Sequence, residues 1–167
     1  MLKLLAPTHR LNRTLEITPE WMRQHQIEGL LIDIDNTLVP FSFEGDLPET
    51  LEWAHMMRAA KIPMRIISNA APDRIERWSF KLEILAVGMI GRGTGGKPLP
   101  GAFRKAVAEL GLEASRVAMV GDQVFTDVLG GNWAGCKTIL VKPLSDNSLP
   151  HTKLVRNLEA RVLGEKK

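Results

Sequence analysis

Seven residues capable of polar chemistry follow the short apolar segments of this sequence. They are Asp33, Asp35, Ser68, Asn69, Lys97, Asp122 and Asp127. Carboxylates that converge on a small volume repel one another unless a cation neutralises them. Ligands that are all oxygen favour a hard ion such as Mg²⁺. A lysine beside such an ion is suited to bind a second anion, and phosphate meets that requirement.

The spacing of Asp33 and Asp35 favours a division of roles between two carboxylates. With one residue between them, one can act as a nucleophile and the other as an acid and base. Each element also has a plain structural interpretation when it stands alone. An isolated Asp-x-Asp commonly forms a turn or a cap, Ser68-Asn69 suits a turn, and Lys97 suits a solvated surface. The last two aspartates are each suited to capping a helix, so the joint arrangement carries the inference.

Alternating apolar and amphipathic segments predict the elements that position these residues. The apolar segments, which predict strands, are 29–33, 63–67, 86–90, 117–120 and 137–141. The amphipathic segments, which predict helices, are 48–60, 72–84, 100–111 and 126–134. This alternation is typical of a doubly wound, Rossmann-like α/β fold, a parallel sheet of about five strands with helices on both faces. Ligands bind such sheets beyond the carboxyl ends of the strands, where the seven polar residues fall.

The length of 167 residues predicts one domain with flanking segments. Residues 29–143 are expected to form the catalytic core, and residues 1–28 an N-terminal extension. Within that extension, Thr18 predicts the cap of a short helix. Residues 151–163 carry apolar side chains along one helical stripe and predict a C-terminal helix.

The charge distribution argues against nucleic acid as a partner. The formal net charge is +3, yet residues 29–150 hold 13 basic and 14 acidic groups, whereas residues 151–167 hold five and two. Binding to duplex DNA needs basic groups clustered on the folded body, and the sequence has no tyrosine for stacking on bases. The excess positive charge therefore belongs to the C-terminal segment.

Composition also bears on location and on metal chemistry. No apolar run approaches the roughly 18 residues that a membrane span needs. The single cysteine, Cys136, cannot form an intrachain disulfide, which suits a reducing compartment. We expect a cytoplasmic protein, with peripheral contact at a membrane left open. The four histidines are scattered, with no pair at metal-ligand spacing, and are expected at the surface or in caps.

Four motifs, in order, resemble those of the haloacid dehalogenase (HAD) superfamily. The motifs are Asp33-Ile-Asp35-Asn-Thr37, Ser68, Lys97-Pro98 and Gly121-Asp122-Gln-Val-Phe-Thr-Asp127. The longer stretches around the first and last motifs, residues 33–39 and 121–132, resemble in particular the YqeG-type phosphatases of subfamily IIIA, which are similar to phosphatidylglycerophosphate phosphatases. The resemblance covers residues 14–143. It implies a HAD-like core and a Mg²⁺-dependent phosphomonoester hydrolase that works through an aspartyl-phosphate intermediate.

The resemblance also implies a role for each matching residue. Asp33 would be the nucleophile, and Asp35 would protonate the leaving group and then activate water. Thr37 would orient the acid/base region. Ser68, helped by Asn69, would hydrogen-bond the transferring phosphoryl group.

Charge at the implied site would be balanced by a lysine and a metal. Lys97 would bind substrate by offsetting charge on the phosphoryl group and on the nucleophile. The implied Mg²⁺ ligands are Asp33, Asp35 through its backbone carbonyl, Asp122 and Asp127, the last as a ligand or as a close neighbour.

The glycine-rich segment 91–97 supports an alternative function. It satisfies both G-x-G-x-x-G and G-x-x-x-x-G-K, the patterns of dinucleotide-binding and phosphate-binding loops. A phosphate-binding loop needs Ser or Thr after the lysine, whereas Pro98 offers neither a hydroxyl nor an N–H. Pro98 and Pro100 also move the helix start beyond the glycines. A small P-loop-like kinase or NTPase therefore stays as an alternative that Pro98 disfavours.

The intervals between motifs are too short for the cap domain that many HAD enzymes carry. An open site suits a phosphate displayed on something large, and the resemblance points to the phosphatidylglycerophosphate head group. The basic residues of 151–163 suit contact with an anionic membrane surface. Packing of that helix on the sheet is the competing interpretation. A phosphatase of soluble small metabolites is the second alternative for the substrate.

Overall fold

The computed structural model describes residues 2–87 and 96–145, in which five parallel strands form one sheet. The strands are β1 (His9–Leu11), β2 (Gly29–Ile32), β3 (Met64–Ile66), β4 (Val117–Gly121) and β5 (Lys137–Val141). The α-helices are α1 (Pro19–Gln24), α2 (Pro48–Ala59), α3 (Pro72–Leu82), α4 (Pro100–Leu110) and α5 (Leu129–Trp133). The predicted parallel α/β architecture is confirmed.

The strand order β1-β5-β4-β2-β3 puts a reversal of winding next to β2. From β2 the chain crosses to β3 on one side and then to β4 on the other. In the pairing of β2 with β4, Gly29 lies beside Val117 and Ile32 beside Val120. An open parallel sheet forms a crevice beyond its carboxyl ends at such a reversal. The polar residues that follow β2 and β4 therefore share one rim.

Helices cover both faces of the sheet, as the sequence predicts. On one face, Leu30 packs in a cluster with Trp53 of α2 and Trp78 of α3. On the other face, Leu31 packs with Phe103 of α4. Because β2 is buried on both sides, its sequence is continuously apolar and does not alternate.

Proline and threonine define the starts of four helices. Pro48, Pro72 and Pro100 are the first residues of α2, α3 and α4, where a missing N–H leaves no bond unmade. Thr18 caps α1, because its hydroxyl accepts a hydrogen bond from the Trp21 N–H at 3.1 Å. The predicted helix 126–134 begins earlier than expected, with a π-helical turn over Val124–Val128 that leads into α5.

The N-terminal segment contributes an edge strand that the sequence pattern does not predict. Within residues 1–28, which are predicted to form an N-terminal extension, β1 pairs with β5 from His9–Ile139 to Leu11–Val141. Thr8 and Thr138 reinforce this edge, since each hydroxyl accepts the backbone N–H of the other, at 3.0 and 3.2 Å. A strand of three residues is too short to show the alternation that marks a strand, so it depends on its partner.

Two histidines predicted to be scattered meet on this edge. The rings of His9 and His25 lie 4.6 Å apart in an edge-to-face arrangement, and Trp21 stacks on His25 at 4.0 Å. Burial lowers the pKa of His9, and the nearby His25 and Lys137 lower it further. The topology, which pairs β1 with β5 beside α1, brings together rings that are 16 positions apart in the sequence.

Two predicted elements fall partly or wholly outside the described residues. Of the predicted strand 86–90, Ala86 forms a parallel bridge with Ile66 beside β3, and residues 88–90 are not described. The predicted C-terminal helix 151–163 lies outside the described residues as well. Between Thr37 and Ser68 the chain forms a loop, α2 and β3, with no inserted domain. In the described part of the chain, no helix is long and apolar enough to cross a membrane.

Candidate active site

The segment after β2 turns sharply at the carboxyl rim of the sheet. The Asp33 N–H donates to the Val120 carbonyl at 3.0 Å, which extends the pairing of β2 with β4. Asn36 then adopts a left-handed conformation with φ of 59°, and its N–H donates to the Val39 carbonyl at 2.6 Å. Asparagine tolerates this conformation better than most residues do. The turn leaves the Asp33 side chain buried and brings Asp35 to the rim.

Asp33, Asp122 and Asp127 form a buried cluster of carboxylates. One carboxylate oxygen of each lies within 4.8 Å of the others, and all three side chains are buried. Gly121 permits this approach, because a Cβ added to it would lie 2.5 Å from the Asp127 Cβ. Three carboxylates this close repel one another and need positive charge beside them.

Lys97 supplies part of that positive charge. Its Nζ lies 2.6 Å from the Asp127 Oδ1 and 2.9 Å from the Asp33 Oδ1. Burial alone would lower the pKa of Lys97, but the carboxylates of Asp127 and Asp33 outweigh burial and raise it. The ammonium is therefore charged and buried, and the interpretation of Lys97 as a solvated surface residue is wrong. Its engagement by two carboxylates also disfavours the P-loop alternative, which needs this group on nucleotide phosphates.

Asn69 fixes the backbone at Lys97. The Asn69 Oδ1 accepts the Lys97 N–H at 2.9 Å, and the Asn69 Nδ2 donates to the Lys97 carbonyl at 3.1 Å. This reciprocal pair joins the end of β3 to the segment that carries the lysine. The predicted contact of Asn69 with a phosphoryl group stays a prediction, and the structure adds an anchoring role that the sequence did not reveal.

Asp127 lies on the π-helical turn that precedes α5. Its Oδ2 accepts the Gln123 N–H at 3.1 Å, and its Oδ1 faces Lys97. Burial raises the pKa of Asp127, and Lys97 opposes that increase. Single turns of π-helix often occur at functional sites, where the wider turn redirects a side chain. Here the turn brings Asp127 over Gly121.

Asp35 makes a different set of contacts from Asp33. Arg74 of α3 donates from Nε to the Asp35 Oδ1 at 2.7 Å. Burial raises the pKa of Asp35, the hydrogen bond and charge of Arg74 oppose this, and the Asp33 charge adds to it. The two aspartates thus lie in different electrostatic environments, as a nucleophile and an acid would require. The sequence reasoning missed Arg74, although a basic residue in the first turn of the helix after Ser68 was an available signal.

Thr37 and Ser68 are both buried near the rim. The Thr37 hydroxyl has no hydrogen-bond partner among the described residues, while its carbonyl accepts the Thr14 hydroxyl at 2.8 Å. The Ser68 hydroxyl accepts the Ala70 N–H at 3.2 Å and stays at the end of β3. Serine and threonine hydroxyls can each donate one further hydrogen bond to an incoming oxygen.

Asn36 also joins the site to the segment after β5, a connection that the sequence did not reveal. The Asn36 carbonyl accepts the Leu144 N–H at 3.0 Å, and its Oδ1 accepts the Ser145 hydroxyl at 2.7 Å. The same Oδ1 accepts the Phe41 N–H at 3.2 Å. The buried amide therefore ties three chain segments together beside Asp35.

The donor set of this cluster fits a divalent cation. Three carboxylates, Asp33, Asp122 and Asp127, and one ammonium, Lys97, leave two negative charges within a small buried volume. A divalent ion would balance those charges, and ligands that are all oxygen suit a hard one. The predicted site residues after β2 and β4 thus come together with Lys97.

Comparison with known proteins agrees with this geometry. A family model described as HAD-hydrolase-like matches residues 94–146. The chain is 33% identical over 162 residues to "Probable phosphatase YqeG" of Bacillus subtilis (strain 168), covering 97% of this chain and 91% of that protein. It is 29% identical over 150 residues to an Arabidopsis thaliana chloroplastic/mitochondrial phosphatidylglycerophosphate phosphatase 1, covering 86% of this chain and 43% of that protein.

A solved structure shares the fold. The D,D-heptose 1,7-bisphosphate phosphatase of B. bronchiseptica, crystallised with magnesium and phosphate, superposes with a TM-score of 0.51 at 20% identity, covering 83% of this chain and 99% of that one. The relationship to the Bacillus protein spans nearly the whole of both chains. This chain is therefore a phosphatase, an enzyme that acts on phosphate substrates. The chain therefore belongs to the YqeG-type phosphatases of the HAD superfamily.

Proposed function

We propose that the chain is a Mg²⁺-dependent phosphomonoester hydrolase in which Asp33 is the nucleophile. The observation that carries the proposal is the buried cluster of Asp33, Asp122 and Asp127 beside Lys97. Positive charge next to a carboxylate lets it approach a phosphate dianion, since phosphoryl transfer depends mainly on positioning and on charge stabilisation.

The reaction would take two displacement steps at phosphorus. In the first, an Asp33 oxygen bonds to phosphorus, the bond from phosphorus to the leaving oxygen breaks, and Asp35 gives that oxygen its proton. In the second, water attacks the aspartyl-phosphate, Asp35 takes up a proton from the water, and the bond from phosphorus to Asp33 breaks. Inorganic phosphate leaves, and both aspartates return to their starting states.

The remaining residues would position the phosphoryl group and the acid. Ser68 would donate a hydrogen bond to a phosphoryl oxygen, and Asn69 would assist it while it holds Lys97. Thr37 would orient the segment that carries Asp35. The raised pKa of Asp35, caused first by burial, supports a carboxyl group that retains a proton closer to neutral pH.

Mg²⁺ would be held by Asp33, the Asp35 backbone carbonyl and Asp122, with Asp127 as a ligand or as the partner of Lys97. When bound, the metal offsets negative charge on the phosphoryl oxygens. Binding to the folded state alone should stabilise the protein by about 2.7 kcal/mol at 100 times the dissociation constant. Thermal unfolding with and without Mg²⁺ measures this, and Asp122→Asn should remove most of the shift. An equal shift in that variant would contradict the ligand assignment.

The nucleophile assignment is tested with Asp33→Asn. We expect loss of phosphate release from phenyl phosphate and of the covalent phosphoenzyme, with the circular dichroism spectrum retained. Asp46→Asn removes an exposed carboxylate on the loop before α2 and should leave turnover unchanged. Persistent turnover by folded Asp33→Asn would refute the mechanism.

For the substrate, we propose the phosphate of phosphatidylglycerophosphate or of another large, exposed group. Its support is the name of the Arabidopsis relative, together with the absence of an inserted domain between Thr37 and Ser68 in the described structure. Phosphate release should be compared between phosphatidylglycerophosphate in vesicles and soluble phosphomonoesters, with and without Mg²⁺. A preference for the soluble compounds would favour a metabolite phosphatase.

Membrane contact through residues 151–163 belongs to the same proposal. Its support is the excess of basic residues in that segment. Flotation with anionic vesicles should recover more of the full chain than of a chain that ends at Pro150. Equal recovery would exclude the segment as an anchor.

A further inference from the structure

Arg74 lies between Asp35 and the loop of residues 40–47, which leads into α2. Its Nε donates to the Asp35 Oδ1 at 2.7 Å, its Nη1 to the Phe43 carbonyl at 2.9 Å, and its Nη2 to the Pro40 carbonyl at 3.1 Å. The Arg74 side chain is only 12% exposed. The Nη2 also lies 2.7 Å from the Asp35 Oδ1, so the three guanidinium nitrogens together contact one carboxylate oxygen and two backbone carbonyls, which fixes the plane of the group.

This arrangement requires an arginine and not simply a positive charge. A guanidinium presents a rigid fork of donors, whereas a lysine ammonium is a single point on a flexible stem. No single ammonium position can reproduce three bonds made from three separate nitrogens. Because Arg74 binds the Oδ1 of Asp35, it restricts rotation of that carboxyl group.

The same helix face holds the rest of the loop through two further basic residues. Arg77 pairs with Glu44, and Lys81 lies 3.0 Å from the Asp46 Oδ1. Both fasten the loop to α3 through acidic residues of the loop and not through Asp35. The chain thus contains a matched control for Arg74, a basic residue one helical turn further along that binds the same loop.

We propose that Arg74 is the positioning residue for Asp35 as the proton donor to the leaving group. The inference rests on the proposed function, which gives Asp35 that role. A carboxylic acid contributes to bond breaking only when its proton is directed at the leaving oxygen. Loss of the orienting bond should therefore harm substrates with poor leaving groups and spare those whose leaving group needs no protonation.

The test compares kcat/KM for phenyl phosphate and for dinitrophenyl phosphate. This ratio reports the steps up to the first irreversible one, which is formation of the phosphoenzyme. For Arg74→Gln we expect a fall of roughly 10²-fold on phenyl phosphate, the lower end of what general acids contribute, and little change on dinitrophenyl phosphate. Arg74→Lys should show the same selectivity, and Arg77→Gln should show neither loss.

Several outcomes would overturn the proposal. One is an equal loss on both substrates, which a merely structural role predicts, and another is full activity of folded Arg74→Gln on phenyl phosphate. Matching behaviour of the Arg74 and Arg77 variants would also overturn it, because the shared role would then be fastening the loop. If Arg74→Gln does not fold, Arg74→Lys provides the same comparison.

Failure of the proposed function would look different. Asp33→Asn would then retain turnover, or Asp35→Asn would slow both substrates equally. If Asp33→Asn is inactive and Asp35→Asn shows the leaving-group selectivity while Arg74→Gln does not, the proposed function stands and the role of Arg74 is refuted.

Discussion

Gly121→Ala should disable the carboxylate cluster although it substitutes none of the three aspartates. The new Cβ would lie 2.5 Å from the Asp127 Cβ and nearer still to its carboxylate, whereas ordinary contact begins at 3.4 Å. The contact is therefore about 0.9 Å too short. Because the Asp127 Cβ is bonded to the backbone, it cannot move away by rotation of the side chain. Either Asp127 or β4 must shift by about that distance.

A shift of this size exceeds what the contacts of Asp127 tolerate. The carboxylate is held at 2.6 Å by Lys97 and at 3.1 Å by the Gln123 N–H. Moving it by about 1 Å breaks one of these bonds, and misplacement on that scale can cost on the order of 10²-fold in rate. Overpacking should also cost about 1–3 kcal/mol of stability.

The assay combines kcat/KM on phenyl phosphate with thermal unfolding, both with and without Mg²⁺. Gly111→Ala is the control, because a Cβ there meets nothing within 4 Å but the φ of 67° strains it. That variant should lose stability, by about 1 kcal/mol, while it keeps its activity. Full activity in folded Gly121→Ala would refute the reasoning, since the position of Asp127 would then not matter.

Three further predictions concern buried charge and titration. Lys97→Met leaves two carboxylates without their buried cation, so unfolding by urea should show a loss of about 3–5 kcal/mol in metal-free protein and a smaller loss with Mg²⁺. Equal losses in the two conditions would contradict this. Burial raises the pKa of the Cys136 thiol to about 11, so alkylation at neutral pH should require unfolding, and a labelling rate unaffected by urea would contradict it. The lowered pKa of His9 means that its contribution to stability is present above the ordinary value of 6.5 and is lost as pH falls through the folded-state value. The free energy of unfolding of His9→Gln should therefore change less with pH in this range than that of the unsubstituted protein. An equal change in the two proteins would contradict the lowered pKa of His9.

The sequence predicted the helices and strands whose hydrophobic periodicity is strong. It did not predict a strand whose conformation depends on pairing with another strand. Prolines and apolar runs marked α2, α3, α4 and the central strands to within a few residues. Strand β1 was missed, because three residues carry too little pattern and their conformation depends on β5. The meeting of His9 and His25 was missed for the same reason, since it follows from topology and not from spacing.

Within the site, motif order indicated which residues converge but not how they are held. Asp33, Asp122, Asp127 and Lys97 do cluster as predicted. Arg74 escaped notice because an arginine on a polar helix face resembles any solvated residue until its acceptors are known. Anchoring contacts made by amides and guanidinium groups to backbone carbonyls leave no mark in a motif.

Strand β1 also governs when the sheet can be completed during protein synthesis. Thr8 pairs with Thr138, 130 positions away. At a synthesis rate of about 5–20 residues per second, the N-terminal segment emerges roughly 6 to 26 seconds before its partner. Until β5 is available, β1 has no strand to join, even though β2, β3 and β4 can already pair. The β1 edge of the sheet therefore closes only after β5 has left the ribosome.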